Sequence, residues 1–230
     1  MIWVFIVLLI GYGNAKSLRE PSAVPAEPWP GLALAGLLAL LVFAATRAGP
    51  RLSWSELGLV RAGSARPAAL GLLIGVAAAL VALVVLRFPP LLDEPVRYAP
   101  LLQPDPVGLL LRALVFMPLD TAVPEELAFR GLLFGWLRRG GSVARAVLLS
   151  AGAYAAWHLV IVFATLCETN VAGEAWTAVL GALVAFAAVF AGGIVFALLR
   201  EWSGRLAAPL AAHAAFNATI LLGLGLGTVD

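Results

Sequence analysis

Six long apolar runs, at roughly 29–46, 67–88, 107–137, 144–166, 175–199 and 206–227, dominate this chain, and a shorter one occupies 1–13. A membrane-spanning helix needs about 20 mostly apolar residues. The six runs meet that length, and the first brings the expected number to about seven, within a range of about six to eight. Backbone N–H and C=O groups left unpaired in lipid cost several kcal/mol each, so each span must be helical. The fold class expected is therefore all-α, a polytopic transmembrane helix bundle. Composition agrees. Hydrophobic residues make up 62% and charged residues 12% of the 230 residues, with a mean hydropathy of +0.99, against about 45–50% and about 25% in soluble domains. A chain of this length has too little polar surface to cover so much apolar surface in water, so residues 1–230 read as a single integral membrane domain.

Proline, glycine and charged residues fill the joints, among them Pro104, and orient the bundle. The 47–66 joint carries Arg47, Arg51, Arg61 and Arg66 against Glu56; the 138–145 turn carries Arg138, Arg139 and Arg145; the 200–205 turn carries Arg200 and Arg205 against Glu201. These three belong on the cytoplasmic side by the positive-inside rule. The alternate joints, 89–106 and 167–174, are poor in basic residues. Lys16 and Arg19 are the misfit, because the alternation puts them outside. Residues 1–13 read as a retained membrane segment and not a signal peptide, since the positive charges follow the apolar run. Cys167 is the only cysteine, which excludes an intrachain disulfide and reads as a packing residue. The net charge is +2, and no basic stripe interleaved with aromatics suggests nucleic acid as a partner. Gly71 and Gly75 form a Gly-x-x-x-Gly pair that suits close helix packing within the bundle.

Against this background a few polar residues stand out, because an ionisable group at membrane depth costs about 2.5–3.5 kcal/mol on insertion scales and is turned inward towards a partner or a function. Glu125 and Glu126 follow Pro118 and Pro124, which are expected to break the helix and leave the acids near a restarted N-terminus. Glu126 and Arg130 are spaced i,i+4 and pair as structural support. Glu125, about 100° away around the helix, has no local partner. Tyr154 and His158, and then His213 and Asn217, are i,i+4 pairs that share a face. These are the only two histidines of the chain. Asp120 reads as a neighbouring or entrance acid.

Converged on one cavity, these groups can hydrolyse an amide. Glu125 serves as general base on a water, His158 helps hold that water, and His213 and Asn217 donate to the developing oxyanion. No Ser or Cys nucleophile is placed with a base. A zinc version would take Glu125, His158 and His213 as ligands, but no His-Glu-x-x-His is present, and spacing does not separate the two. The residues alone also leave open a non-catalytic membrane protein, either a bacteriocin-immunity factor or a proton-coupled carrier using the same groups as a relay. Carriers often show internal repeats, and none is found.

Glu125-Glu126-x-x-x-Arg130, Tyr154-x-x-x-His158 and His213-x-x-x-Asn217, in this order within apolar helices, resemble the CAAX prenyl protease and bacteriocin-processing (CPBP, or Abi) family of intramembrane proteases. Its pattern is Glu-Glu-x-x-x-Arg, Phe-x-x-x-His and His-x-x-x-Asn. The approach to the third motif, from Gly192-Gly193 through Leu199-Arg200 to Pro209, is also similar. The resemblance covers about residues 110–222. Tyr154 departs from the pattern by adding a hydroxyl that needs a partner. The resemblance implies an intramembrane endopeptidase, a hydrolase with catalytic Glu125, His158, His213 and Asn217, with Glu126 and Arg130 supporting the fold. It implies a glutamate-activated water without a metal cofactor. The partners implied are the lipid bilayer and a peptide or protein substrate that is membrane-associated, lipidated or hydrophobic-tailed, or a leader peptide. The Ala/Leu/Gly/Arg bias points to a bacterial inner membrane.

Overall fold

The computed structural model describes residues 1–19, 27–60, 65–90, 92–103 and 105–227; Arg61 and Pro104 lie outside them. The architecture is all-α. Helix α1 spans Ile2–Arg19, α2 Trp29–Ala48, α3 Arg66–Arg87, α4 Pro106–Arg139, α5 Val143–Trp157, α6 Leu159–Cys167, α7 Ala175–Ser203 and α8 Ala207–Leu226. Six helices are long and apolar enough to cross a membrane, or seven with the bent pair α5 and α6 as one span. Each apolar run of the sequence thus becomes a helix, except 144–166, which becomes the bent pair α5 and α6. The described residues contain no strand beyond an isolated bridge between Tyr98 and Thr169.

The bundle is built around the middle of α4, where Phe129, Arg130, Leu132 and Leu133 are wholly buried. Helices α1, α3 and α7 turn large apolar side chains outward, including Leu8, Leu73, Val81, Val179 and Leu183. Such a surface is stable against lipid, not against water.

Two features of α4 and α5 differ from the sequence reading. Pro118 and Pro124 do not break α4, which runs unbroken through 34 residues, so Glu125 and Glu126 sit in mid-helix and not at an N-terminus. Wide π turns at Arg112–Phe116, Pro118–Ala122 and Leu127–Leu133 flank the acids. A proline removes one N–H and crowds the carbonyl four residues back; shifting to i→i+5 bonding accommodates both effects without ending the helix. The second difference is a 45° bend between α5 and α6 at His158, within a run that reads as one straight span. Cys167, expected in packing, is exposed at the end of α6.

The joints gather at two ends, as the charge alternation requires. At one end Arg139 grips Glu56 with Nε–Oε1 at 2.8 Å and Nη2–Oε2 at 2.7 Å. Arg138 holds Glu201 through Nε and Nη2, at 2.9 and 3.0 Å, Arg200 Nη2 donates to the Glu56 carbonyl at 2.8 Å, and the Leu206 N–H donates to the Gly58 carbonyl at 3.0 Å. At the other end the Ala99 N–H donates to the Glu168 carbonyl at 2.8 Å and the Arg97 N–H to Asn170 Oδ1 at 2.9 Å. The basic joints therefore share one face of the bundle and the base-poor joints the other. The Gly71 and Gly75 pair packs inside the bundle, as expected. A Cβ on Gly71 would lie 2.1 Å from the Ala208 carbonyl oxygen, and one on Gly75 2.2 Å from that of Ala212. Their absence lets α3 rest directly on the backbone of α8, beside His213.

Candidate active site

Three polar clusters that are far apart in sequence meet in the interior. Helix α4 contributes Glu125 and Glu126, the α5–α6 bend contributes Tyr154, Trp157 and His158, and α8 contributes His213. Glu125, Glu126 and His213 are 4%, 1% and 3% exposed, and His158 is half-buried. Glu125 is held on one side: Trp157 Nε1–H donates to its Oε1 at 3.2 Å. Its other oxygen, Oε2, is buried without a hydrogen-bond partner and lies 3.6 Å from His158 Nε2, beyond a direct hydrogen bond.

The local chain explains how His158 is set. At the bend its backbone N–H turns to the Ala155 carbonyl, 3.0 Å away, leaving the Tyr154 carbonyl without its usual i+4 donor. The imidazole of His158 fills that role, with Nδ1 2.8 Å from the Tyr154 oxygen. A carbonyl only accepts, so Nδ1 carries the proton, and when the ring is neutral Nε2 holds the lone pair that faces Glu125. The bend itself is secured from α1. Asn14 Nδ2 donates to the Ala156 carbonyl at 2.9 Å, and Asn14 Oδ1 accepts the Val160 N–H at 2.8 Å. A side chain inserted into the backbone ladder is an established cause of a sharp bend. Next to it, Gly13 makes room for the Trp157 ring, which a Cβ there would approach to 2.1 Å. Tyr12 stacks on the other part of that ring at 5.8 Å. Helix α1 thus aims both Trp157 and His158.

The second carboxylate has a different role. Arg130 Nη1 donates to Glu126 Oε1 at 3.1 Å, as the i,i+4 spacing implies, and His213 Nδ1 approaches the same oxygen at 3.0 Å. Arg130 is wholly buried, with its guanidinium 4.2 Å from the Tyr154 ring and 5.1 Å from Phe196 and Nη2 on the Gly193 carbonyl at 3.2 Å. Phe196 stacks on His213 at 5.1 Å. The added hydroxyl of Tyr154 finds its partner in His213 Nε2, at 3.4 Å. Glu126 and Arg130 are therefore more than a local pair, because through Glu126 they fix the His213 ring.

Asn217 lies one turn beyond His213 on α8, half-buried, and its side chain is bonded to no described residue. Asp120 does not meet Glu125; its carboxylate is taken by Arg112 and by Thr121 Oγ1 at 2.8 Å. It does line the same narrow cleft as Glu125 and Trp157, together with Tyr12, Lys16, Leu34, Ala35, Leu38 and Pro124. The sequence reading missed Trp157, Asn14 and Lys16. The first sits beside a motif residue, but nothing local marks its reach to Glu125. The other two come from a helix far away in sequence, and only Lys16 left a trace there, as a misplaced charge.

Among the described residues no three His, Cys, Asp or Glu side chains are grouped to hold an ion. His213, needed as the third zinc ligand, has Nδ1 on Glu126 and Nε2 facing the Tyr154 hydroxyl.

The model of one protein family, described as type II CAAX prenyl endopeptidase Rce1-like, matches residues 105–219, half of the 230-residue chain and the stretch holding all three motifs. No curated protein and no solved structure matches.

Proposed function

The chain belongs to the Rce1-like family of type II CAAX prenyl endopeptidases, and from that premise we propose that it cleaves peptide bonds within the membrane by means of a water activated by Glu125. One observation carries the reading: the buried, unpartnered Oε2 of Glu125 faces the lone pair of His158 Nε2. Two acceptors side by side call for a hydrogen donor that serves both, and a water does so with its two hydrogens. Its oxygen lone pairs then point away from both groups, towards a substrate carbonyl. As water attacks, its proton passes to Glu125 Oε2, while Trp157 keeps Oε1 in place. Glu125 then returns the proton to the leaving amine, so that water adds across the bond and the carboxylate is regenerated. His213, whose Nδ1 is committed to Glu126, offers Nε2 on the other side, and when that nitrogen carries a proton it donates to the oxyanion. Asn217, without a partner of its own, has an amide N–H free for the same oxygen.

The substrate in this reading is a membrane-associated protein or peptide whose lipidated or hydrophobic tail, or leader segment, brings the scissile bond to the site from within the bilayer. The site of action is a bacterial inner membrane. Hydrolysis by purified protein in detergent or liposomes tests the proposal. Glu125→Gln is expected to lower the cleavage rate by about 10²–10⁴, the usual contribution of a general base. Activity is expected to survive exhaustive chelation. Wild-type rates in Glu125→Gln would end the glutamate mechanism, and stoichiometric zinc with chelator-sensitive cleavage would replace it with metal chemistry.

A further inference from the structure

Three span ends meet on the basic face of the bundle: α1 begins at Ile2, α4 ends at Arg139 and α5 begins at Val143. Between them lies an open cavity of about 250 Å³, lined by Ile2, Trp136, Leu137, Arg139, Gly140 and Arg145. None of the catalytic groups is among its walls. The ends of spans are where hydrocarbon gives way to headgroups, so the cavity opens at headgroup level. The charges around it do not balance. The 138–145 turn carries three arginines and no acid. Two are answered from other joints, Arg138 by Glu201 and Arg139 by Glu56. Arg145 is not: it is exposed, and among the described residues its guanidinium has neither an ion pair nor a hydrogen bond. Only its backbone N–H is engaged, by Ser142 Oγ at 3.3 Å.

The surroundings narrow the ligand. Ile2, Leu137 and the Trp136 ring, which lies 6.2 Å from Phe5, make the floor apolar. The Trp136 indole N–H has no acceptor among the described residues and can only donate. Leu148, one turn beyond Arg145 and on the same face, is 53% exposed, so an apolar surface continues from the cavity into the membrane. A group that fits is therefore an acceptor-rich anion joined to an apolar body that lies along the bundle. A zwitterionic headgroup brings its own ammonium, and no wall of the cavity is acidic to receive it. Basic pockets between spans on the face that carries the positive joints suit anionic lipid headgroups. We propose that this cavity binds the phosphate of an anionic phospholipid. Arg145 is the recognising cation, Arg139 is held at the rim by Glu56, and the acyl chains run past Leu148.

The test is native mass spectrometry of the full-length protein, titrated with phosphatidylglycerol or with phosphatidylcholine of the same acyl chains. The wild type is expected to bind phosphatidylglycerol with an apparent affinity about tenfold or more above phosphatidylcholine, as hydrogen bonds to a charged group imply. In Arg145→Gln the ratio falls to near one. Arg145→Lys keeps part of it, because an ammonium supplies the charge without the planar fork. Arg205→Gln removes a charge from the same face outside the cavity and should leave the ratio unaltered. The ratio counts only folded protein, so a loss of stability does not imitate a loss of binding. Soluble glycerol phosphate in large excess should not displace the lipid. Equal affinity of the wild type for the two lipids, or an unchanged ratio in Arg145→Gln, overturns the proposal. An equal fall in Arg205→Gln overturns it in favour of diffuse surface charge, and displacement by glycerol phosphate overturns it in favour of a site for free phosphate esters. No arm of the test reads hydrolysis, so the outcome is independent of the role of Glu125.

Discussion

Helix α3 meets α8 through glycine: Gly71 and Gly75 bring its backbone onto the carbonyls of Ala208 and Ala212, one residue before His213. Helix α1 meets α5, α6 and α4 through side-chain chemistry: Asn14 clamps the bend at His158, Gly13 and Tyr12 seat Trp157, and Lys16 reaches the carbonyl before the proline of α4. Both helices lie in the part of the chain outside residues 105–219. One acts as a wall against which a site-bearing helix is pressed, the other as a set of handles on the reacting groups. In lipid, where apolar packing brings no transfer gain between helices, close backbone approach and interhelical hydrogen bonds are the two available means of association, and here each helix uses mainly one of them.

The largest expected effect comes from disturbing the wall. Gly75→Leu places a side chain where even a Cβ is 2.2 Å from a backbone oxygen, so α3 and α8 must separate. Destabilisation of about 1–3 kcal/mol or more is expected, read as a drop in thermal or denaturant midpoint in detergent, with activity falling in step because His213 moves with α8. A variant of normal stability would show that α3 is not seated as described.

The handles should behave in the opposite way. Asn14→Ala leaves the Ala156 carbonyl and the Val160 N–H unpaired at the bend. Interhelical hydrogen bonds of this kind are worth about 0.6–1.7 kcal/mol, so stability falls modestly. The activity loss should be the greater one, about 10- to 100-fold in kcat, because small displacements of a catalytic group are punished steeply. Trp157→Phe is milder: the ring stays against Gly13 and Tyr12, but Glu125 Oε1 loses its donor. A kcat reduction of about tenfold is expected, since the carboxylate is then no longer held in its reacting orientation. If either variant loses stability and activity in proportion, α1 is a wall as well and the contrast disappears.

The same contrast explains what was legible beforehand. Apolar runs dictate spans, so α1 to α4, the α5–α6 pair taken as one span, α7 and α8 followed from length and hydropathy, with the charge alternation giving the two ends. Glu125, His158 and His213 were legible because ionisable groups are conspicuous among Leu and Ala, and the structure gathers them. The wall was legible too, since Gly-x-x-x-Gly is a local pattern. The bend at His158 was not, for no Pro or Gly marks it and its cause, Asn14, lies 146 residues away in sequence from Val160. Nor was the continuity of α4 through Pro118 and Pro124, because a proline announces a missing N–H and not whether π turns and a distant lysine will make good the loss. The shared use of Glu126 by Arg130 and His213 was half visible: i,i+4 spacing reveals partners on one helix and is silent about a third residue arriving from another.

The smallest expected effect lies at the base of this N-terminal part, where the chain between α2 and α3 is tied to the rest. The Glu56 carboxyl is held well below its ordinary value of 4.5, at about 2, first by the Ser53 backbone N–H and then by Arg139 and the Ser53 hydroxyl. A depressed carboxylate contributes stability that is complete above its unfolded pKa and is lost as pH falls through the folded one. The contribution should therefore persist at neutral pH and fade between about pH 4.5 and 2. Because the side chain is about a third exposed, solvent screening limits it to no more than about 1 kcal/mol. Glu56→Gln should flatten that acid limb of the stability curve while leaving kcat at neutral pH unaltered, since Glu56 touches neither α1 nor the site. A fall in kcat with unchanged stability would mean that the tether passes its strain to α8 through Arg200, Gly58 and Leu206, and that the wall, too, controls the chemistry.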